Sequence, residues 1–280
     1  MTKIVFIAGL EHSGTTLLDF IVGAGREAVA LGEVSSFINS EARASFLSRF
    51  AVFDDAHLCS CGKRHQDCNV WSPVVQYISE NPSSDLVMRY KKVIESVERN
   101  FGNDIVLSDS SKSISALSTA LEAVKERPGT DVRVLFAIKD VRSFVTSITQ
   151  ARKLGLRGQF SCFRWWRGGN MQILSFLKHS GVSYRVVLYE ALCLRTRSTV
   201  ESIYKFLGIT SESHVEALRT KLRHERSHIC MGNADMVFRN SDEIRYDCRW
   251  FNKLSINLLY GTVPLARQMN ERLLAEHLRV

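Results

Sequence analysis

Gly9, Gly14, Thr15 and Thr16 lie in the segment Lys3–Thr16, KIVFIAGLEHSGTT, and their spacing is that of a phosphate-cradling loop. An apolar run, Ile4 to Ala8, leads into the loop, and a helix-forming stretch, TTLLDFIVG, leaves it. Backbone N–H groups and a helix N-terminus can then be aimed at an anion. A nucleotide triphosphatase carries Lys where this chain has Thr15, so the ammonium that reaches β- and γ-phosphates is missing. The expected ligand is therefore a nucleotide with a short 5′ anionic tail rather than ATP. Glu11, His12 and Ser13 form the loop tip, which holds the imidazole beside the bound anion.

A second constellation is Lys139-Asp140-Val141-Arg142 followed by Ser147. Lys139 ends an apolar strand, and Ser147 falls about two turns into the next helix, so both can converge on one phosphate. Taken alone, the segment reads equally as a solvated strand end with an incidental Ser. Cys59, Cys61 and Cys68, with His57 and His65 nearby, have the chemistry of zinc ligands. Their spacing is not that of a CxxC pair and a second pair is absent, so a thiol-containing structural loop is expected. Trp165 and Trp166 have the size to line an acceptor pocket, but their helical spacing with Phe163 and Phe176 is that of core residues.

These groups must be positioned by strands at Lys3–Ala8, Asp104–Ser108, Val132–Ile138 and Tyr184–Leu188, each followed by a polar cluster. Between them lie segments of helical period, Leu86–Phe101, Ile114–Lys125, Phe144–Leu154 and Trp165–Lys178. Strands alternating with helices predict an α/β fold with a central parallel sheet flanked by helices. Ligands then sit beyond the carboxyl ends of the strands, where all four polar clusters fall. After Leu188 the pattern is helical, at Thr196–Leu207, Ser213–His224 and Thr262–Leu278, which predicts a helical C-terminal part. Residues 39–82 read as an irregular insertion holding the cysteines, and 227–250 as a late irregular loop. With no repeat and no boundary signal, residues 1–280 read as one domain.

The 280 residues, 45% apolar, are enough to bury a substantial core. The first strand begins at residue 3 and nowhere do eighteen apolar residues run together, so neither a signal peptide nor a stable membrane insertion is expected. A cytoplasmic protein with reduced thiols fits seven scattered Cys. The net charge of +8 implies an acidic ligand. The basic residues are spread along the chain and no nucleic-acid-binding motif appears, so a small polyanion is preferred over nucleic acid.

Taken together, these residues resemble the sulfotransferases that use 3′-phosphoadenosine 5′-phosphosulfate. In that family G-x-x-R-S-G-T-T-L-L binds the 5′-phosphosulfate, and this chain has GLEHSGTTLL; R-D-P-R-x-x-x-x-S binds the 3′-phosphate, and this chain has KDVRSFVTS. Y-E-D-L leading to F-L-G-I is matched by Tyr189-Glu190-Ala191-Leu192 and Phe206-Leu207-Gly208-Ile209. The resemblance runs in order from residue 3 to about 209 and is nearest to a bacterial branch with C-x-C-G, D-S-S-K and G-N…R. These occur as Cys59-Ser60-Cys61-Gly62, Asp109-Ser110-Ser111-Lys112 and Gly232-Asn233…Arg239. Two positions depart: the family's loop Arg is His12, which titrates near neutrality, and its second Arg is Lys139, which loses bidentate recognition.

The resemblance implies a three-layer P-loop-like fold and in-line sulfuryl transfer to a hydroxyl or amine, expelling adenosine 3′,5′-bisphosphate. The donor side is assigned to Glu11, His12, Ser13, Gly14, Thr15 and Thr16 at the 5′ end. Lys139, Ser147, Gly232, Asn233 and Arg239 are assigned to the 3′-phosphate, with Tyr189 near the adenine and the late loop closing over the nucleotide. His12 and Lys112 are the candidates for stabilising the departing charge, although DSSK also reads as a helix cap through Ser110 or Ser111. Glu33 is the candidate base, with His12 competing. The chemistry needs no metal. The acceptor, a small hydroxylated molecule, glycan or lipid, is expected to meet residues 39–82 and the helices. Two other readings stay open. A P-loop kinase or nucleotide hydrolase would need Asp109 or Asp140 as its Mg²⁺ ligand. The other is a non-catalytic nucleotide-binding protein of the same fold.

Overall fold

Side chains alternate along the first strand, β1 (Lys3–Gly9): Ile4, Phe6 and Ala8 enter one apolar layer, Val5 and Ile7 the other. The same period of two holds in β4 (Asp131–Ile138), where Val134, Phe136 and Ile138 face one way and Leu135 and Ala137 the other. A strand buried on both faces needs helices on both sides. The computed structural model describes residues 2–39, 41, 58–210, 227–232 and 244–278.

The sheet is parallel throughout, with β2 (Ala28–Ala30), β3 (Val106–Lys112) and β5 (Ser183–Leu188) completing the order β2-β3-β1-β4-β5. Helix α1 (Thr15–Gly23) covers one face, together with α8 (Tyr189–Leu194) and α9 (Thr196–Leu207). The other face carries α2 (Val34–Ile38), α3 (Ser72–Glu80), α4 (Leu86–Phe101), α5 (Ile114–Val124), α6 (Val141–Arg152), α7 (Leu156–Ser180), α10 (Leu254–Thr262) and α11 (Pro264–Leu278). This is the α/β architecture expected from the alternation of strands and helices.

Register places the working ends together. Ala8 pairs with Lys112 on one side and Phe136 on the other, and Ile138 pairs with Leu188. The carboxyl ends of β3, β1, β4 and β5 therefore form one edge of the sheet. Helices leave that edge with side-chain caps: Ser113 accepts from the Ala116 N–H at 3.2 Å and Asp140 from the Arg142 N–H at 2.7 Å.

Several boundaries differ from those expected. The third strand runs through Asp109 to Lys112 rather than stopping at Ser108, because its polar side chains find buried partners. The cap that follows is Ser113, not Ser110 or Ser111. Asp140 starts α6 three residues earlier than periodicity indicated, and α7 begins nine residues before Trp165. The final helix, expected from Thr262, starts at Pro264, which takes the first helical position of α11, and α10 before it was not expected. The three-residue β2 and the five-residue α2 were not foreseen, being too short for a period to register, and residues 39–82, expected to be irregular, contain the nine-residue α3 with Pro73 in its first turn. Residues 213–224, expected to be helical, lie outside the described residues.

Candidate active site

The loop after β1 is closed by local geometry. A Cβ on Gly9 would lie 2.7 Å from the Ala137 carbonyl oxygen, so only glycine lets β1 and β4 approach there. Ser13 N–H donates to the Leu10 carbonyl at 3.2 Å, with His12 in the left-handed region at φ 62°. Gly14, φ 86°, precedes α1, and a Cβ there would also strike the Tyr189 ring at 2.7 Å. Gly14 has no side chain to cap α1, and the helical ladder starts with Leu18 N–H on the Gly14 carbonyl at 3.0 Å. Its first-turn N–H groups thus have no intrahelical acceptor. Ser13 Oγ is buried without a hydrogen-bond partner among the described residues. An anion at this helix start fits both features.

Beneath the loop, the fully buried Asp19 carboxylate ties three elements. It accepts from Gly32 N–H at 2.9 Å and from the hydroxyls of Ser108 and Ser110. Burial pushes its pKa up to about 7 despite these donors. The carboxylate holds α1 against β3 and the Gly32 turn.

On the other side of the loop, Lys139 follows β4 and is almost fully buried. Its ammonium lies 2.8 Å from Asp247 Oδ2 and 4.5 Å from the Tyr189 ring centre. Tyr189 OH donates to the Arg245 carbonyl at 2.6 Å. Asp247 also accepts from Arg249, and the two cations hold its carboxyl well below the usual range against the opposing effect of burial. The turn itself is fixed: Trp166 Nε1 donates to the Lys139 carbonyl at 2.9 Å, and Asp140 N–H donates to Glu190 at 3.0 Å. Burial, with Asp140 alongside, pushes Glu190 up to about 7. Arg142 pairs with Asp140 and stacks 3.7 Å over Trp250.

Ser147 on α6 meets His12, Oγ to Nδ1 at 3.0 Å. Burial lowers the His12 pKa, Glu11 partly opposes this, and Lys139, Arg152 and Lys112 lower it further. The imidazole is therefore neutral at pH 7. Three cations, Lys139, Arg152 and Lys112, thus lie within electrostatic range of the loop tip. Glu11 is ion-paired with Arg152, both half-exposed.

The third group is Glu33 with Lys112, which form an ion pair at the carboxyl end of β3. Lys112 has φ 69° and Gly32 φ 79°, so both turns are left-handed. A Cβ on Gly32 would sit 2.3 Å from the Met231 carbonyl, and Glu33 N–H donates to that carbonyl at 2.9 Å. Segment 227–232 reaches this point by running beside β2, with His228 N–H on Ala30 and Cys230 N–H on Leu31. Gly232, the last residue of that segment, is buried.

The sheet edge therefore gathers His12, Ser147, Lys139, Tyr189, Glu33 and Lys112, with Ser13, Gly14, Thr15 and Thr16 between them. Asn233 and Arg239 lie outside the described residues. Within the late loop, 244–250 reaches Lys139 through Asp247. Trp166 is core, and Trp165 lies partly buried against Phe144 and Arg152. The candidate Mg²⁺ ligands are engaged otherwise. Asp109 is fully buried, accepts from Tyr90 OH at 2.8 Å and is pushed up to about 6 by burial, while Asp140 caps α6. Sequence reasoning missed Asp19, Arg152, Asp247 and Asn270, which holds the Val141 N–H at 2.9 Å. A buried acid in the apolar helix TTLLDFIVG was a visible signal for Asp19; nothing local marked Asp247.

The fold is shared with sulfotransferase domains. The sulfotransferase domain of the olefin synthase of Synechococcus PCC 7002 superposes with a TM-score of 0.54 at 16% identity, covering 93% of this chain and 94% of that one. A sulfotransferase domain from the curacin biosynthetic pathway gives 0.54 at 15% identity, over 94% and 98%. No protein-family model matches the chain, and no curated protein matches its sequence. At these identities what is shared is the fold.

Proposed function

We propose that this chain transfers a sulfuryl group from 3′-phosphoadenosine 5′-phosphosulfate to a hydroxyl or amine acceptor. The observation that carries the reading is the convergence on one sheet edge of an uncapped helix start, a buried lysine on the neighbouring strand and a lysine–carboxylate pair. The loop N–H groups with Thr15 and Thr16 would hold the 5′-phosphate. Lys139 would hold the 3′-phosphate, with Ser147 within reach through its contact with His12.

In the transfer, the acceptor oxygen attacks sulfur as the bond from sulfur to the bridging phosphate oxygen breaks. Adenosine 3′,5′-bisphosphate leaves with that electron pair, and the acceptor's proton passes to Glu33. Lys112 neutralises charge growing on the sulfuryl and bridging oxygens. Its ion pair with Glu33 orients the carboxylate. His12, whose pKa is lowered in the free protein, contributes a hydrogen bond and gains positive charge only as the bound anion favours its protonation. No step here requires a metal.

A kinase or hydrolase reading is weakened because Asp109 and Asp140 have structural partners. Calorimetry with adenosine 3′,5′-bisphosphate without Mg²⁺, followed by radiolabelled sulfuryl transfer to a panel of hydroxylated acceptors, tests the proposal. Binding and transfer are expected. Mg²⁺-dependent ATP binding instead would replace the reading with a kinase, and binding without turnover would leave a nucleotide-binding protein.

A further inference from the structure

Cys59, Cys61 and Cys68 lie in the segment after α2, and His228 is 160 residues beyond the last of them, yet their ligand atoms all fall within 4.8 Å of one another. Cys61 Sγ is 3.7 Å from Cys68 Sγ, while His228 Nδ1 is 3.2 Å from Cys68 Sγ and 3.7 Å from Cys59 Sγ. A tetrahedral zinc with Zn–S of about 2.3 Å and Zn–N of about 2.0 Å has edges of roughly 3.5 to 3.8 Å. We propose that these four residues bind one zinc ion in a closed structural site.

The local backbone is built for thiolates. Leu58 bridges Arg64, Cys59 N–H donates to the Lys63 carbonyl at 2.9 Å and Gly62 N–H to the Cys59 carbonyl at 2.8 Å, with Gly62 at φ 83°. This tight turn directs the amides of Cys61 and Lys63 towards the sulfurs of Cys59 and Cys61, and the Trp71 amide faces Cys68. Amide donors to sulfur favour the deprotonated ligand that a metal needs.

The histidine is held as firmly as the cysteines. Its N–H donates to the Ala30 carbonyl, its own carbonyl accepts from Trp71 Nε1 at 2.7 Å, and its ring packs on Phe101 at 5.7 Å. The proposal replaces the thiol-loop expectation and takes His228 as the fourth ligand; His65 packs on Phe37, and His57 lies outside the described residues. Four protein ligands leave no open position, so the ion is a cross-link and not a reagent. It joins the 58–64 turn and the approach to α3 to segment 227–232, in which Met231, three residues after His228, accepts from Glu33 N–H through its carbonyl.

Elemental analysis of the full chain purified from zinc-supplemented cells should give about one zinc per chain. Cobalt replacement should give ligand-field and thiolate charge-transfer bands of a tetrahedral three-sulfur site. Cys61→Ser and His228→Ala should each lower zinc content to below about a tenth. Should those variants fail to fold, a mercurial thiol reagent added to the unaltered protein must release zinc as three thiols react. Folded protein that carries no zinc after purification from zinc-supplemented cells, or one with a Cys61–Cys68 disulfide, would overturn the proposal.

Discussion

The Lys139 ammonium and the Asp247 carboxylate, both almost fully buried, meet at 2.8 Å across 108 residues of chain. The late segment thus sets a carboxylate where the proposed 3′-phosphate would bind. Lys139→Ala should weaken bisphosphate binding by about 10- to 100-fold, the usual range for a charge-assisted hydrogen bond. Asp247→Asn, which leaves Lys139 without its competitor, should tighten binding a fewfold. Calorimetry on both variants checks the pair, and weaker binding by Asp247→Asn would separate Asp247 from that competition.

Glu33→Gln should lower kcat by about 10²- to 10⁴-fold while bisphosphate affinity stays within about threefold, the pattern of a group acting on the acceptor proton. Lys112→Met should lower kcat by about 10²- to 10³-fold. Single-turnover kinetics alongside binding separates the two effects. A small loss in Glu33→Gln beside a large one in His12→Asn would move the base to His12.

His12 carries a lowered pKa in the free protein, with burial the main cause. A bound anion favours the imidazolium, so binding must raise that pKa again and take up a proton. Affinity for the bisphosphate should therefore rise as pH falls from 8 through the free-state pKa. Calorimetry in buffers of different ionisation enthalpy measures the uptake. The ligand's own phosphate protonation is subtracted by comparison with His12→Asn, and equal uptake by both proteins would refute the coupling.

Three buried acids carry raised values: Asp19 and Glu190 at about 7, Asp109 at about 6. Unfolded, each ionises near pH 4. Their contribution is fully present below that pH and is lost as pH rises through 6 to 7. Thermal midpoints should therefore fall between pH 5 and 8. Asp19→Asn can still accept from Gly32 N–H, and it should flatten the slope. Asp247 has the opposite sign, and its contribution is lost as pH drops below about 4.

How much of this was legible in the sequence follows from how local each signal is. The loop after β1 and the Lys139 turn announce themselves because glycines, strand and helix are contiguous. Lys112 was found, but the strand carrying it was cut short, since Asp109 and Ser110 look exposed until Tyr90 and Asp19 supply partners. Asp247 and His228 could not be read at all. Each acts across more than a hundred residues, and their own surroundings carry no periodicity. The cysteine cluster looked incomplete for the same reason, its fourth member being on another segment.

The cations of this site do not wait unpaired. Lys139 has Asp247, Lys112 has Glu33 and Arg152 has Glu11. Each carboxylate is tethered, so its effective concentration beside its cation is of millimolar order or higher. A free chloride, sulfate or single phosphate competes with one pair at a time and gains little by doing so. A ligand bearing several anionic groups exchanges partners at several points in one binding event. With the proposed donor as ligand, the carboxylates would act as a threshold that favours polyanions over simpler salts.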